Sequence, residues 1–210
     1  MRITIGNLEQ AWKASEYLTK DSRLRIKIAF MGLCVFLVPL FFEELINRDG
    51  ILYLQTAKVF DEDGLVASFD EYKWPFYSIA IAFCHFITML SFEHSAHLLN
   101  VVFALVLLDA FTRLYWEVNL KTTYRWMPAL VLLAFAGLND YRPLIIRDWG
   151  YWAFLFQALF YFLRACKTDH LKFHFLWQTF IILAFLFRIE AVVYFVLLPL
   201  WFAYKKKSSR

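Results

Sequence analysis

The chain has 210 residues, 61% of them hydrophobic and 20% aromatic, with a mean hydropathy of +0.51 and a net charge of +4. Soluble domains average about 45–50% apolar residues, so this excess, gathered in blocks free of Asp, Glu, Lys and Arg, argues against one and predicts an all-α, polytopic helical membrane protein. The strand alternation of an outer-membrane barrel is absent, and Lys and Arg flanking the apolar blocks account for the charge without nucleic acid.

Residues 1–27 read as a polar cytoplasmic segment, with apolar positions (Ile5, Leu8, Trp12, Leu18) spaced for an interfacial helix and no secretory leader pattern. Ile28–Leu45 is the first span, with Pro39 as a kink site. Residues 46–93 form the first external loop. Within it, Gly50–Phe60 has the helical apolar spacing of a segment lying on the membrane surface, and Asp61–Gly64 breaks it. Trp74–Phe92 either spans or dips in from outside. The later spans are His94–Tyr115, Trp126–Leu138, Trp149–Leu163, Phe173–Phe187 and Ala191–Tyr204, within a helical domain over 28–204 that precedes a basic cytoplasmic tail, 205–210. One helix over Phe173–Tyr204 would run about 48 Å against a hydrocarbon core of about 30 Å, so the chain turns at Arg188-Ile189-Glu190.

Basic residues decide the topology. If Trp74–Phe92 does not cross, there are about six spans, both termini are cytoplasmic, and 16 of the 22 Lys/Arg residues face inside. A crossing would invert the later loops and place Lys205-Lys206-Lys207 outside, against the positive-inside rule. A multi-pass protein of a bacterial inner membrane is expected.

The same topology gathers ionisable groups at the external face. Asp49 follows the first span; it reads as a helix cap or as a general base for a substrate hydroxyl. Asp140, Arg142, Arg147 and Asp148 occupy the second external turn, where paired arginines hold a phosphate or salt-bridge the loop. Arg188 and Glu190 sit between two apolar runs, as a structural ion pair or facing a substrate cavity. Asp109, inside a span, calls for a bond to another helix. His85, His94 and His97 lack a metal spacing, no cofactor is implied, and nothing supports a divalent metal. Cys34, Cys84 and Cys166 read as small buried hydrophobes.

The motifs occur in an order that resembles the N-terminal half of a GT-C glycosyltransferase. They are Asp49, Tyr53 and Ala57; Trp74-Pro75-Phe76-Tyr77; Arg142-Pro143; Arg147-Asp148-Trp149-Gly150-Tyr151; and Leu186-Phe187-Arg188-Ile189-Glu190. The class includes the protein O-mannosyltransferases and the lipid A aminoarabinose transferases, and the resemblance covers roughly residues 28–204. It implies transfer of a sugar from a polyprenyl-phosphate carrier to a hydroxyl acceptor on a lipid, glycan or protein. Asp49 would be the catalytic base, Arg142, Arg147 and Arg188 would bind the donor phosphate, and Tyr53, Asp140, Asp148 and Glu190 would support them. Two features depart from the class: Gly50 stands where many members have a second acid, and members usually carry more spans and a further C-terminal region. The alternatives are a non-catalytic scaffold or lipid-binding subunit and a small transporter or flippase; the absence of an internal repeat weighs against the transporter.

Overall fold

The computed structural model describes residues 22–41, 46–119, 123–168 and 170–208, with no side-chain detail at 39, 40 and 205–208. The proposed interfacial helix before residue 22 and the basic side chains of the tail lie outside the described residues. Among the described residues all regular structure is helical. The first helix, α1, covers 22–36 and ends in a 3-10 turn, Val38–Phe41, at Pro39, which has no N–H to continue the ladder.

The second helix, α2 (Arg48–Glu71), holds one non-helical residue, Gly64, at φ 85° and ψ −169°. This conformation is open to Gly and strained for any residue with a Cβ. The bend it makes is sharp. Gln55 donates to Glu71 at 2.7 Å, whereas a straight helix would hold these positions about 24 Å apart. The two halves of α2 therefore fold back on each other. The predicted break at Asp61–Gly64 is concentrated in its last residue; Asp61, Glu62 and Asp63 stay in the helical stretch, exposed.

Helix α3 (Phe76–Thr88) has 13 residues and stops at Met89, the one non-Gly residue with positive φ among those described. Its length is about 20 Å, short of a hydrocarbon core of about 30 Å. Helix α4 (Phe92–Val118) is capped by Ser91, whose hydroxyl accepts from the His94 N–H. Among the described residues it is the one helix long and apolar enough to cross a membrane by length and composition.

The apolar stretch predicted as a single span over Trp126–Leu138 is instead two short helices, α5 (Met127–Ala134) and α6 (Ala136–Asn139), interrupted at the extended residue Phe135. Helices α7 (Asp148–Thr168), α8 (Leu171–Phe187) and α9 (Val192–Ser208) follow, with a 3-10 turn, Ile189–Ala191, between the last two. The predicted turn at Arg188–Glu190 is where the chain reverses.

Helix α7 sits at the centre. One face joins the core built with α1 to α4, through Ile81, Leu107, Leu108 and Trp149. The other face joins α8 and α9, through Phe162, Trp177 and Ile181. Close approach of α7 to α8 depends on Gly150: a Cβ there would meet the Phe187 ring at 2.5 Å.

Candidate functional site

Four segments converge at one end of the bundle: the start of α2, the α2–α3 connection, the start of α7, and the end of α8. Asn47 joins the first to the third. Its side-chain amide donates to the Ile145 carbonyl at 3.2 Å, and its side-chain oxygen accepts from the Ile145 N–H at 2.9 Å. Asn47 precedes α2 but makes no side-chain cap bond there. The cap reading of Asp49 is corrected on this point: Asp49 lies inside the first turn, Asn47 holds the cap position, and the Asn47 amide is engaged with the second turn instead. Gly50 makes the approach possible. A Cβ at that position would meet the Asn47 oxygen at 2.7 Å and the Ile145 Cβ at 3.0 Å.

The fold-back of α2 delivers Tyr72 to the same place. Its ring packs edge-on to Tyr53 at 5.8 Å, and its hydroxyl accepts from Arg147 at 2.8 Å. Trp74 secures the connection by donating from its indole to the Leu186 carbonyl at 2.8 Å. Beneath lies a polar bridge through the core: the Tyr77 hydroxyl donates to Asn100 at 2.7 Å, and Asn100 donates to the Leu144 carbonyl at 3.1 Å. Asn100 is buried, so these bonds satisfy a group that would otherwise be costly.

Arg188 follows α8 and Asp148 begins α7. They form an ion pair, and Arg188 also binds Glu190 at 2.7 and 3.2 Å. Helix ends favour this arrangement: the carboxylate lies at the positive end of α7 and the guanidinium at the negative end of α8. The bond to Glu190 holds the Arg188 guanidinium above its ordinary pKa, against the opposing effect of burial, and Arg188 in turn holds the Glu190 carboxyl below the usual range.

Arg147 differs from Arg188. Among the described residues it makes no ion pair; its partner is the neutral Tyr72 hydroxyl. Asp49, exposed in the first turn of α2, likewise makes no ion pair among the described residues. Both act on the Tyr53 hydroxyl, where burial raises the pKa, Arg147 lowers it, and Tyr72, Asp49 and Asp148 raise it further.

The structure joins Tyr53 and Arg147 through Tyr72, and Asp148 and Glu190 through Arg188, with Asp49 one helical turn before Tyr53 on α2. Among the described residues Arg142 makes no hydrogen bond or ion pair with them. Arg142 points to the side of α1 and α5, donates to the Leu133 carbonyl at 2.7 Å, and lies 5.3 Å from the Phe36 ring centroid. Leu133 is in the last turn of α5, so this guanidinium satisfies a carbonyl left free where that helix breaks. Burial lowers its pKa. Asp140 is exposed at the end of α6, after the break. Among the described residues no cluster of His, Cys, Asp or Glu could hold a metal ion.

Sequence reasoning gave no role to Tyr72, Tyr77 or Asn100, although Tyr77 stood in the Trp74-Pro75-Phe76-Tyr77 motif. The signal for the first two was the Tyr72–Tyr77 aromatic stretch around Pro75; Asn100 in an otherwise apolar helix was the signal for the third. No known family model matches this chain, and comparison with curated proteins and with solved structures gives no match.

Proposed function

We propose that this chain is a membrane glycosyltransferase, or the N-terminal part of one, that transfers a sugar from a polyprenyl-phosphate carrier to a hydroxyl on the external face. The observation that carries the reading is that Arg147, in the turn that Asn47 ties to the start of α2, bonds the neutral Tyr72 hydroxyl and makes no ion pair among the described residues. Asp49 accepts the acceptor's proton as its oxygen attacks the anomeric carbon. Arg147, its guanidinium positioned by the bond to the Tyr72 hydroxyl, holds the departing carrier phosphate through a charge-assisted contact. Arg188 is already balanced by Asp148 and Glu190 and fixes the turn that carries it.

The membrane setting belongs to the same proposal: about six spans, with this end of the bundle outside. Beyond the 16 inward-facing basic residues, its support is the surface of the later helices. Ile182, Val196, Leu197, Leu200 and Trp201 are exposed by 46% or more, an apolar surface that in water marks an interaction site or an aggregation hazard and in a bilayer meets lipid.

A non-catalytic scaffold is the second reading. It is favoured by the number of polar groups already committed to structure: Asn47, Asp148, Arg142 and Arg188. Transfer of a labelled sugar from a polyprenyl-phosphate donor by the purified chain in membranes separates the two. Turnover supports the enzyme; tight binding without turnover supports the scaffold.

A further inference from the structure

Arg142 is a cation without a counter-charge. Among the described residues it makes no ion pair: one terminal nitrogen donates to the Leu133 carbonyl at 2.7 Å, and the guanidinium carbon lies 5.3 Å from the Phe36 ring centroid. Its Nε is buried and has no hydrogen-bond partner among the described residues. Arg188, by contrast, binds two carboxylates.

The same side chain lines a small cavity of about 10 Å³, walled by Phe36 of α1, by His97, Asn100 and Ala104 of α4, and by Trp149 of α7. That volume suits one water-sized occupant. Among the described residues no carboxylate lines it. Asn100 adds a second donor. Its oxygen already accepts from the Tyr77 hydroxyl, and its amide nitrogen donates to the Leu144 carbonyl. An amide nitrogen carries two hydrogens, so one remains to be used. What Arg142 and Asn100 have left to offer is N–H groups, beside a partly desolvated positive charge. A charge withdrawn from water is costly unless an opposite charge meets it. A water molecule in the cavity would accept a hydrogen bond and leave the charge unbalanced. An anion does both, through charge-assisted bonds.

We propose that this cavity binds one small monovalent anion of the size of chloride, held by the Arg142 guanidinium and the second amide hydrogen of Asn100. The anion secures the guanidinium that closes the broken end of α5, and so ties that break to α1 and α4. The site is separate from the donor reading and does not rest on it: a sugar phosphate is far larger than the cavity.

The test is thermal unfolding of the full chain in detergent over a chloride titration. Ionic strength is held constant with gluconate, an anion too large to enter. The expected result is a saturable rise in Tm of about 2–4 °C, reproduced by bromide and not by inorganic phosphate. Arg142→Gln should lose the response. Ala104→Leu, which fills the cavity and keeps the guanidinium, should lose it as well; the titration of the unaltered chain stands whether or not either variant folds. A Tm that does not respond to chloride would assign the cavity to water and overturn the proposal. A rise without saturation, or one that persists in Arg142→Gln, would mark general screening or another site and would also overturn it. A larger response to inorganic phosphate than to chloride would show an open phosphate site at Arg142, with the same consequence.

Discussion

Asn47 and Ile145 exchange two hydrogen bonds, the side chain of one with the backbone of the other, across 98 residues of sequence. This pairing works as a short piece of sheet ladder between two loops. It brings the start of α2, which carries Asp49 two residues after Asn47, beside the turn that carries Arg147 two residues after Ile145. Asn47→Ala leaves a backbone N–H and C=O without their partners, which costs about 1–3 kcal/mol when such groups are buried. Thermal unfolding in detergent or nanodiscs should show the loss. Gly50→Ala should act on the same contact by pushing a methyl group into it, and the two losses should be less than additive because they share it.

Gly64 controls the other half of the site. At φ 85° and ψ −169°, Gly64→Ala is strained by about 1–3 kcal/mol, although the space around the position is open. Its effect should therefore come from backbone conformation alone. Because the fold-back carries Tyr72 to Arg147, the variant should weaken binding of a polyprenyl phosphate as well as stability. A Tyr72→Phe comparison separates the two: it should weaken binding with little loss of stability.

Arg188 should behave differently from Arg147. Arg188→Ala leaves Asp148 partly buried without its cation, so it should lower thermal stability, by about 1–3 kcal/mol for loss of a charged hydrogen-bonding partner. Arg147→Ala removes only a bond to a neutral hydroxyl and should leave stability nearly unchanged while weakening carrier binding. Equal stability losses in the two variants would contradict the division of roles.

Glu190 gives a pH dependence with a defined sign. Arg188 holds its folded-state pKa below the ordinary glutamate value of about 4.3. The stabilisation is fully present above that ordinary value and is lost as the pH falls through the lower folded value. Glu190 is half exposed, so the amplitude is small and screened by salt. Stability measured across the acid range should fall more steeply in the native chain than in Glu190→Gln.

Topology is open to direct labelling. With the three native cysteines replaced, Lys73→Cys should react with an impermeant reagent from outside, and Lys172→Cys only after permeabilisation. Both positions are exposed. The reverse pattern would contradict the orientation.

The long helices were legible in the sequence because runs such as those of α4, α7 and α8 are apolar over more residues than a strand uses. The ion pairing of Arg188 with Asp148 was legible too, since charges between apolar runs are driven toward each other. What a particular side chain does there was not. Asn47 can cap a helix or grip a distant loop, and local sequence offers both; the tertiary approach of Ile145 decides. Arg142 stands close in sequence to Arg147, but the break at Phe135, invisible in a uniformly apolar stretch, leaves a free carbonyl at Leu133 that takes it elsewhere. Asp109 met the expectation of an interhelical bond, pairing with Arg25 at 2.6 Å and with Arg113 at 2.8 Å.

The most direct measurement of the central claim is sugar transfer by Asp49→Asn beside the unaltered chain. It is made in membranes with a labelled polyprenyl-phosphate sugar, with carrier binding and thermal stability read on the same samples. The amide keeps the shape of the carboxylate and does not take up the acceptor's proton. The account predicts transfer by the native chain, none above background by Asp49→Asn, and little change in carrier binding or stability. Full transfer by a well-folded Asp49→Asn protein would contradict it.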